Sequence, residues 1–299
     1  MINVQNLSKR FGARLALDDV SFRAEAGRVT AFLGPNGSGK TTTMRILLGL
    51  DRPTSGVALV NGVAFEELRD PMCQLGALLD ARGAHPGRSA FNHLRALALT
   101  HNINDARVED VLDQVGLSDV ASRRVGGFSL GMRQRLGIAG AMLGDPETYV
   151  FDEPINGLDP DGVHWFRTLV RSFAREGRTV FLSSHLISEV ALTADHVVVL
   201  GRGRVLADAP LVEFGGATKV RVQTQRAPEL TKLLRADGAS IAVDGIDISA
   251  TGISTAAVGV IAAAAGIALS QLVEVQESLE DSYRALTDED VEFRPGSLE

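Results

Sequence analysis

The residues best suited to chemistry begin with a glycine-rich segment, Gly34–Thr41, which reads G-P-N-G-S-G-K-T. It fits the pattern G-x-x-x-x-G-K-[ST], in which glycines let consecutive backbone N–H groups surround a phosphate. Lys40 would add a mobile positive charge for the outer phosphates, and the Thr41 hydroxyl would ligate Mg²⁺. The alternative is a glycine-rich turn with a chance Lys-Thr pair. The flanking sequence favours the phosphate site, because a β-prone run at Val29–Leu33 precedes the segment and a helical pattern over 42–50 follows it.

Further candidate residues lie where apolar, β-prone runs end. Asp152 and Glu153 follow the run Thr148–Phe151, and His185 follows the run Thr179–Ser184. The phosphate-binding pattern at Gly34–Thr41 is known as the P-loop. In NTPases that contain it, a carboxylate such as Asp152 holds Mg²⁺ together with the P-loop hydroxyl. Glu153 projects to the opposite side of the chain path, so it could polarise a water molecule as a general base. A solvated Asp-Glu turn is the alternative, and the four apolar residues before the pair disfavour it.

Other candidates have local features that leave two interpretations open. Asp80 ends a short apolar run over 75–79. Phe11 lies in a polar turn, where its ring would either stack on a planar base or pack in the ordinary way. Ser129 and Gly131 lie at the start of a predicted helix, where Ser129 is a natural N-cap. This is either an ordinary capped helix or a helix start at which Gly131 lets another group approach closely.

The elements that must position these residues alternate between strand and helix. Such alternation predicts a mostly parallel sheet with functional residues at the carboxyl ends of its strands. Residues 1–28 alternate like strands, and the pattern from about 86 to 145 is helical. The predicted fold is therefore α/β, a P-loop NTPase with a mostly parallel sheet, an N-terminal antiparallel β portion and an inserted helical subdomain.

The sequence past Phe214 differs from what precedes it. It becomes rich in alanine, and its predicted elements come in the order strand, helix, two strands, helix and strand, which is typical of a small α+β, ferredoxin-like unit. We therefore expect one domain at 1–214, which contains the phosphate-binding segment, and an accessory domain at 215–299. An apolar tract at 253–272 is long enough to cross a membrane. Because it is mostly alanine and glycine and Gly266 divides it, we predict no transmembrane segment.

The overall composition bears on partners and compartment. The chain has 299 residues and a net charge of −7, so no overall basic field favours nucleic acid. A single cysteine, Cys73, excludes an internal disulfide and suits a reducing cytosol. Three histidines in the helical region are eight residues apart, a spacing that fits a metal-binding helix face poorly.

Taken together, the motifs resemble the nucleotide-binding subunit of ATP-binding-cassette (ABC) transporters, in the branch of bacterial drug and antibiotic exporters with separate membrane subunits. That family has, in order, a P-loop, a signature L-S-G-G-Q, a hydrophobic-D-E motif, an S-A/G-L-D loop and a switch histidine. The matching positions here are Gly34–Thr41, Phe128–Met132, Tyr149–Glu153, Asn156–Asp159 and His185. The resemblance covers roughly residues 1–214.

The resemblance implies roles for single residues. Glu153 would be the catalytic base, and His185 would contact the γ-phosphate and sense its loss. The residues with a catalytic role would be Lys40, Glu153 and His185. The Mg²⁺ ligands would be Thr41, Asp152 and Asp80. The residues that bind ATP in their own protomer would be Phe11, stacked on adenine, with Gly34, Pro35, Asn36, Gly37, Ser38, Gly39, Lys40, Thr41 and Thr42. Ser129 and Gly131 would serve the other protomer's ATP, and Asp159 would run along the dimer interface.

Two features of the sequence depart from the family pattern, and a third extends the resemblance into the C-terminal region. The signature reads F-S-L-G-M, with Leu130 in place of the first glycine and Met132 in place of glutamine. This resembles the variant of the same exporter branch, so we expect it to function. Asp80 stands where the family usually has glutamine, sometimes glutamate, and its shorter side chain would reach the metal only through water. The segment Ser278–Tyr283 resembles the L-E-D-x-F element that closes the C-terminal extension of that branch.

The implied function is ATP hydrolysis that powers export of a drug, an antibiotic or a similar small molecule. The resemblance implies a head-to-tail homodimer that sandwiches two nucleotides, drives a separate membrane permease and binds no nucleic acid. The chain would then be cytoplasmic and peripheral to the inner face of the membrane. An importer ATPase is an alternative. A soluble cassette ATPase acting on DNA or ribosomes is disfavoured by the single P-loop and the acidic balance, and a P-loop kinase would not explain the signature or the histidine.

Overall fold

A computed structural model describes residues 1–214 and 218–276, together with residues 279, 280, 283 and 286. The described residues form two compact units, one built on Met1–Leu211 and one within Val212–Ala285. The segment Ser278–Tyr283 lies largely outside the described residues, so its resemblance to the exporter element stays a prediction.

The first unit contains nine strands: β1 (Ile2–Phe11), β2 (Arg14–Ala24), β3 (Val29–Leu33), β4 (Ser55–Val60), β5 (Leu75–Leu78), β6 (Thr148–Phe151), β7 (Thr179–Ser184), β8 (His196–Gly201) and β9 (Arg204–Pro210). Its larger sheet has the order β5-β6-β7-β3-β8-β9, and only the edge strand β9 is antiparallel to its neighbour. Every residue of β3, β6 and β7 is buried. Burial on both faces explains their continuous apolar runs, and the predicted mostly parallel sheet is confirmed.

A smaller antiparallel sheet packs on the larger one through aromatic rings. Its order is β2-β1-β4, which confirms the predicted N-terminal antiparallel portion. Phe22 of this sheet stacks on Phe181 of β7 with ring centroids 5.3 Å apart, and it lies 5.1 Å from Phe32 of β3. The two sheets thereby share one apolar core.

The helices of the chain's first part are α1 (Lys40–Leu47), α2 (Pro71–Gln74), α3 (Ala90–Leu99), α4 (Asp105–Gln114), α5 (Leu130–Met142), α6 (Pro160–Arg175), α7 (Ile187–Ala191) and α8 (Leu211–Phe214). The helices α3, α4 and α5 lie in the stretch between β5 and β6 that was predicted to be helical. Ser89, Asn104 and Ser129 begin them, each accepting a hydrogen bond from the backbone N–H three residues later. Such side-chain caps satisfy amide groups that the helix itself leaves unpaired.

The second unit comprises β10 (Thr218–Gln223), α9 (Ala227–Ala236), β11 (Ser240–Asp244), β12 (Asp247–Thr251), α10 (Thr255–Ala264) and β13 (Gln271–Gln276). Its sheet has the order β11-β12-β10-β13 with antiparallel neighbours. Val222, Ile248 and Leu230 are buried in a core between the sheet and the helices. The predicted ferredoxin-like element order is confirmed. Within the described ranges, no helix is long and apolar enough to cross a membrane.

One buried tyrosine links the central sheet to α6. The ring of Tyr149 in β6 stacks on Phe173 with centroids 4.2 Å apart and an interplanar angle of 8°. Its hydroxyl oxygen accepts a hydrogen bond of 3.1 Å from Arg178. Burial raises the pKa of Tyr149 to about 12, although the neighbouring Arg178 guanidinium opposes the rise. The folded protein therefore favours the neutral phenol.

This geometry predicts that the effect of Tyr149→Phe on stability reverses with pH. Near pH 8 the wild type should be more stable by about 1 kcal/mol, because it keeps the hydrogen bond to Arg178. Above pH 10 the unfolded phenol ionises before the folded one, so this advantage should fall by roughly 1.4 kcal/mol per pH unit until about pH 12. Urea denaturation of both proteins between pH 8 and 11 measures the difference, and a difference that does not change with pH would contradict the assignment.

Candidate active site

The glycine-rich segment joins the carboxyl end of β3 to α1. Gly37 and Gly39 have φ angles of +83° and +112°, in the region that glycine adopts without steric cost. A Cβ atom added at Gly34 would overlap the carbonyl oxygen of Leu200, and one at Gly39 would lie 2.9 Å from the carbonyl oxygen of Ala16. The backbone is therefore folded into a tight cradle that side chains at these positions would fill.

Lys40 is a buried cation held by the cradle itself. Its Nζ donates to the carbonyl oxygens of Gly34 at 2.5 Å and Pro35 at 3.2 Å. Burial lowers the pKa of this ammonium group, and the carboxylates of Glu153 and Asp152 act in the opposite direction. Neutral carbonyl groups are weak partners for a buried charge, so an anion that entered the cradle would be a better one.

A second donor in the cradle is the hydroxyl of Ser38. Its Oγ is buried and has no hydrogen-bond partner within the described part of the chain. An unpaired buried hydroxyl costs free energy that a ligand oxygen would recover. A cavity of about 290 Å³ adjoins it, bounded by Arg14–Ala16, Pro35–Ser38 and Arg202. The cradle and this cavity together offer space and donors for a phosphate-bearing ligand.

A chain of hydrogen bonds joins the cradle to the carboxyl ends of β6 and β7. The Thr41 hydroxyl donates to Oδ2 of Asp152 at 2.7 Å, and the Ser183 hydroxyl donates to Oδ1 of Asp152 at 2.5 Å. The Ser183 oxygen in turn accepts from the backbone N–H of Glu153 at 2.9 Å. Thr41 and Asp152 thus meet as predicted ligands should, and their all-oxygen set fits Mg²⁺, which is bound by few protein ligands alongside substrate phosphates.

Ser183 is a residue that sequence reasoning missed. The available signal was a polar residue at the end of a buried apolar strand, next to the carboxyl end of the strand that carries Asp152. Its partner could not be read from the sequence, because the contact depends on the pairing of β6 with β7.

Glu153 is held in an uncommon conformation by several partners. Its φ angle is +48°, which costs about 1 kcal/mol or more in a residue with a side chain. Its Oε2 lies 2.8 Å from His185 Nδ1 and 3.5 Å from Asn156 Nδ2. The buried Gln134 of α5 donates to the Glu153 carbonyl oxygen at 3.3 Å. The predicted base and the predicted switch histidine are therefore in direct contact.

Two other predicted residues lie at the edges of this site. The ring of Phe11 is 48% exposed, with the Lys9 ammonium 4.7 Å from its centroid. A stacked base would use the other face of the ring or displace Lys9. Asp80 accepts a hydrogen bond of 2.8 Å from the backbone N–H of Arg82 and borders an apolar groove. Their assignments to adenine and to Mg²⁺ stay predictions.

The remaining predicted residues cap helices or pack closely in their own chain. Ser129 accepts from the N–H of Met132 at 3.2 Å, and Asp159 accepts from the N–H of Gly162 at 3.0 Å, where it begins α6. A Cβ at Gly131 would lie 2.8 Å from the Gly157 carbonyl oxygen. Their predicted roles toward a second protomer stay predictions.

Comparisons with known proteins agree with this geometry. A sequence model of the family described as ABC transporter matches residues 17–156, and one of a domain of unknown function matches residues 218–280. The chain is 36% identical over 208 residues to the lantibiotic transport ATP-binding protein SrtF of Streptococcus pyogenes, covering 70% of this chain and 90% of the relative. It is 38% identical over 213 residues to the bacitracin transport ATP-binding protein BcrA of Bacillus licheniformis, covering 70% of each.

Solved structures give the same result for the fold. A structure of an ATP binding subunit of an ABC transporter superposes with a TM-score of 0.66 and 29% identity, covering 72% of this chain and 91% of that one. A dimeric ATP-binding cassette, MJ0796, bound to ADP and Pi, superposes with a TM-score of 0.64 and 23% identity, covering 71% and 99%. At that identity the second comparison concerns the fold alone. By its sequence relatives, its fold and its ordered motifs, the chain belongs to the ATP-binding proteins of ABC transporters.

Proposed function

We propose that this chain binds MgATP in the cradle at 34–42 and hydrolyses it with Glu153 as the general base. The observation that carries the proposal is the placement of Glu153 directly after Asp152, whose carboxylate is hydrogen-bonded to Thr41. One strand end thus presents a metal-binding carboxylate toward the cradle and a second carboxylate beside His185. Phosphoryl transfer needs both kinds of group near the outer phosphate.

The residues of the chain would act as follows. Lys40 exchanges the carbonyl oxygens of Gly34 and Pro35 for phosphate oxygens. Thr41 and Asp152 would hold Mg²⁺, which neutralises charge on the phosphates when bound. Glu153 accepts a proton from the water that attacks the γ-phosphate, while His185 fixes the orientation of its carboxylate. The products are ADP and phosphate.

The proposed assembly has support from the relatives. We propose that two copies associate head to tail, so that Ser129 and Gly131 of one copy complete the ATP site of the other across a self-complementary interface. SrtF and BcrA are named as ATP-binding proteins of transport systems, which supports a separate membrane permease as the partner. The chain would then lie on the inner face of the membrane, attached through that permease.

An apolar groove next to Asp80 is our candidate for the permease contact. It has a volume of about 450 Å³ and lies between β5, α3 and α5, with Leu78, Leu97 and Leu136 among its lining residues. Grooves of this kind accept the apolar face of a helix. A helix of the permease docked here would touch Asp80, whose backbone leads directly from β5, the edge strand beside Asp152.

Export is favoured as the direction of transport. The names of SrtF and BcrA refer to lantibiotic and bacitracin transport, and the F-S-L-G-M signature and C-terminal unit are consistent with the exporter branch. We therefore propose efflux of an antibiotic or a similar small molecule. The relatives do not favour an importer.

Replacing the proposed base should separate hydrolysis from binding. We expect Glu153→Gln to lower the ATPase rate roughly 10²–10⁴-fold, the usual contribution of a general base, while ATP affinity is retained because Lys40 and the cradle are intact. Phosphate release and equilibrium binding of ATP measure the two effects. Glu109→Gln, at an exposed position of α4, is the matched control and should behave as wild type. A near-normal rate in Glu153→Gln would exclude Glu153 as the base.

Asp80→Asn should distinguish metal binding from coupling to the permease. Since the Asp80 carboxylate faces the Arg82 N–H and the groove, we expect the Mg²⁺ dependence of ATP hydrolysis by the chain alone to be unchanged, and its stimulation by the permease to fall. ATPase assays over a Mg²⁺ series, with and without the permease in proteoliposomes, measure both. A higher Mg²⁺ requirement in the chain alone would instead support Asp80 as a metal ligand.

A further inference from the structure

The side chain of Leu130 covers Gly157 more closely than an alanine at that position would permit. Leu130 is the first residue of α5, and its side chain is about half exposed. A Cβ atom at Gly157 would lie 2.5 Å from Leu130 Cγ and 3.2 Å from Leu130 Cβ, and it would overlap a Leu130 methyl group. Gly157 also has a φ of +80°. The leucine therefore occupies the space that a side chain at 157 would need.

The same loop is held from α5 at two further points. A Cβ at Gly131 would lie 2.8 Å from the Gly157 carbonyl oxygen, so backbone and backbone approach closely there. Gln134, one turn further along α5, donates to the Glu153 carbonyl oxygen at 3.3 Å. The beginning of α5 and the loop from 153 to 159 thus contact each other along their length.

The sequence departs from the family pattern at Leu130, one of the two residues in this contact. The signature has leucine where L-S-G-G-Q has its first glycine, and the loop N-G-L-D has glycine where S-A/G-L-D allows alanine or glycine. A large residue at 130 is compatible only with the smaller of these two choices at 157. Leu130 and Gly157 form a size-matched pair.

We infer that Leu130 is a positioning residue for Glu153 of its own chain. By covering Gly157 it fixes the loop whose Asn156 contacts Glu153 twice, through its N–H to the Glu153 carbonyl oxygen at 3.3 Å and through Nδ2 near Oε2 at 3.5 Å. These contacts hold Glu153 at its positive φ, with its carboxylate against His185. The inference rests on the proposed function, in which Glu153 is the base.

Truncating the leucine should impair the chemical step and spare binding. We expect Leu130→Ala to lower kcat roughly 10- to 100-fold, the range produced by small misplacements of a catalytic group, with ATP affinity unchanged because Lys40, Ser38 and the glycines of the cradle are intact. Leu130→Met, which conserves volume, should restore most of kcat. A wild-type kcat in Leu130→Ala, or a loss confined to ATP affinity, would overturn the inference.

A double-mutant comparison tests the contact itself, independently of ATP. Gly157→Ala should lower the melting temperature of the full chain more than Gly177→Ala does, since Gly177 has a similar φ of +87° but no described atom within 4 Å of an added Cβ. Most of the excess should disappear in Leu130→Ala/Gly157→Ala, because the overlap with Leu130 Cγ and its methyl group is removed, leaving backbone strain and a 3.2 Å contact with the Cβ at position 130. Equal effects of the two glycine substitutions, or simple additivity in the double variant, would refute the pairing. If the wild type hydrolyses no ATP, the proposed function fails, and the melting comparison still decides whether the contact exists.

Discussion

The parallel register of β3, β7 and β6 is the constraint on which the candidate site depends. Leu33 pairs with Ser184, and Phe151 pairs with Leu182, so the three strands end almost level. This brings Thr41, Asp152 and Ser183 within hydrogen-bond distance. A slip of one residue in the pairing of β6 with β7 would turn Asp152 or Ser183 to the opposite face of the sheet. The buried apolar runs of the strands therefore stabilise the fold by removing apolar side chains from water. They also contribute to function, because they fix the register of the strands.

The rigid sheet supports groups that are individually unfavourable in the folded chain. Lys40 is a buried ammonium whose hydrogen bonds within the described residues go to carbonyl oxygens, Ser38 has a buried hydroxyl without a partner in the described structure, and Glu153 has a positive φ. An unpaired buried hydroxyl and a positive φ each cost free energy of order 1–3 kcal/mol, and a buried charge costs more. Such costs persist only where surrounding packing over-determines the conformation. A phosphate ligand would satisfy the first two groups, so part of its binding free energy would come from relieving them.

The comparison of sequence and structure shows which information lies in local patterns. The central strands were predictable because burial on both faces demands continuous apolar runs. Element boundaries were less accurate: α1 spans Lys40–Leu47 where the sequence predicted a helix over 42–50, because Gly39 adopts a left-handed conformation just before it. The roles of Ser183 and Gln134 could not be predicted, since both depend on which elements become neighbours. Motif spacing identified the residues that we propose to meet a ligand, and it was silent on those that hold them in place.

The two departures from the family pattern have different physical settings, and this bears on how such departures should be interpreted. Asp80 is exposed at the rim of an apolar groove, so a side chain of another length there would meet solvent rather than the core of the chain. Leu130 lies against a backbone that cannot retreat, because Gly157 is also in contact with Gly131 and its loop continues into the cap of α6. A side chain at 157 would therefore overlap Leu130 in its present position. The signature F-S-L-G-M and the loop N-G-L-D of this chain are best described together, because Leu130 of the first occupies the space that a side chain at position 157 of the second would need.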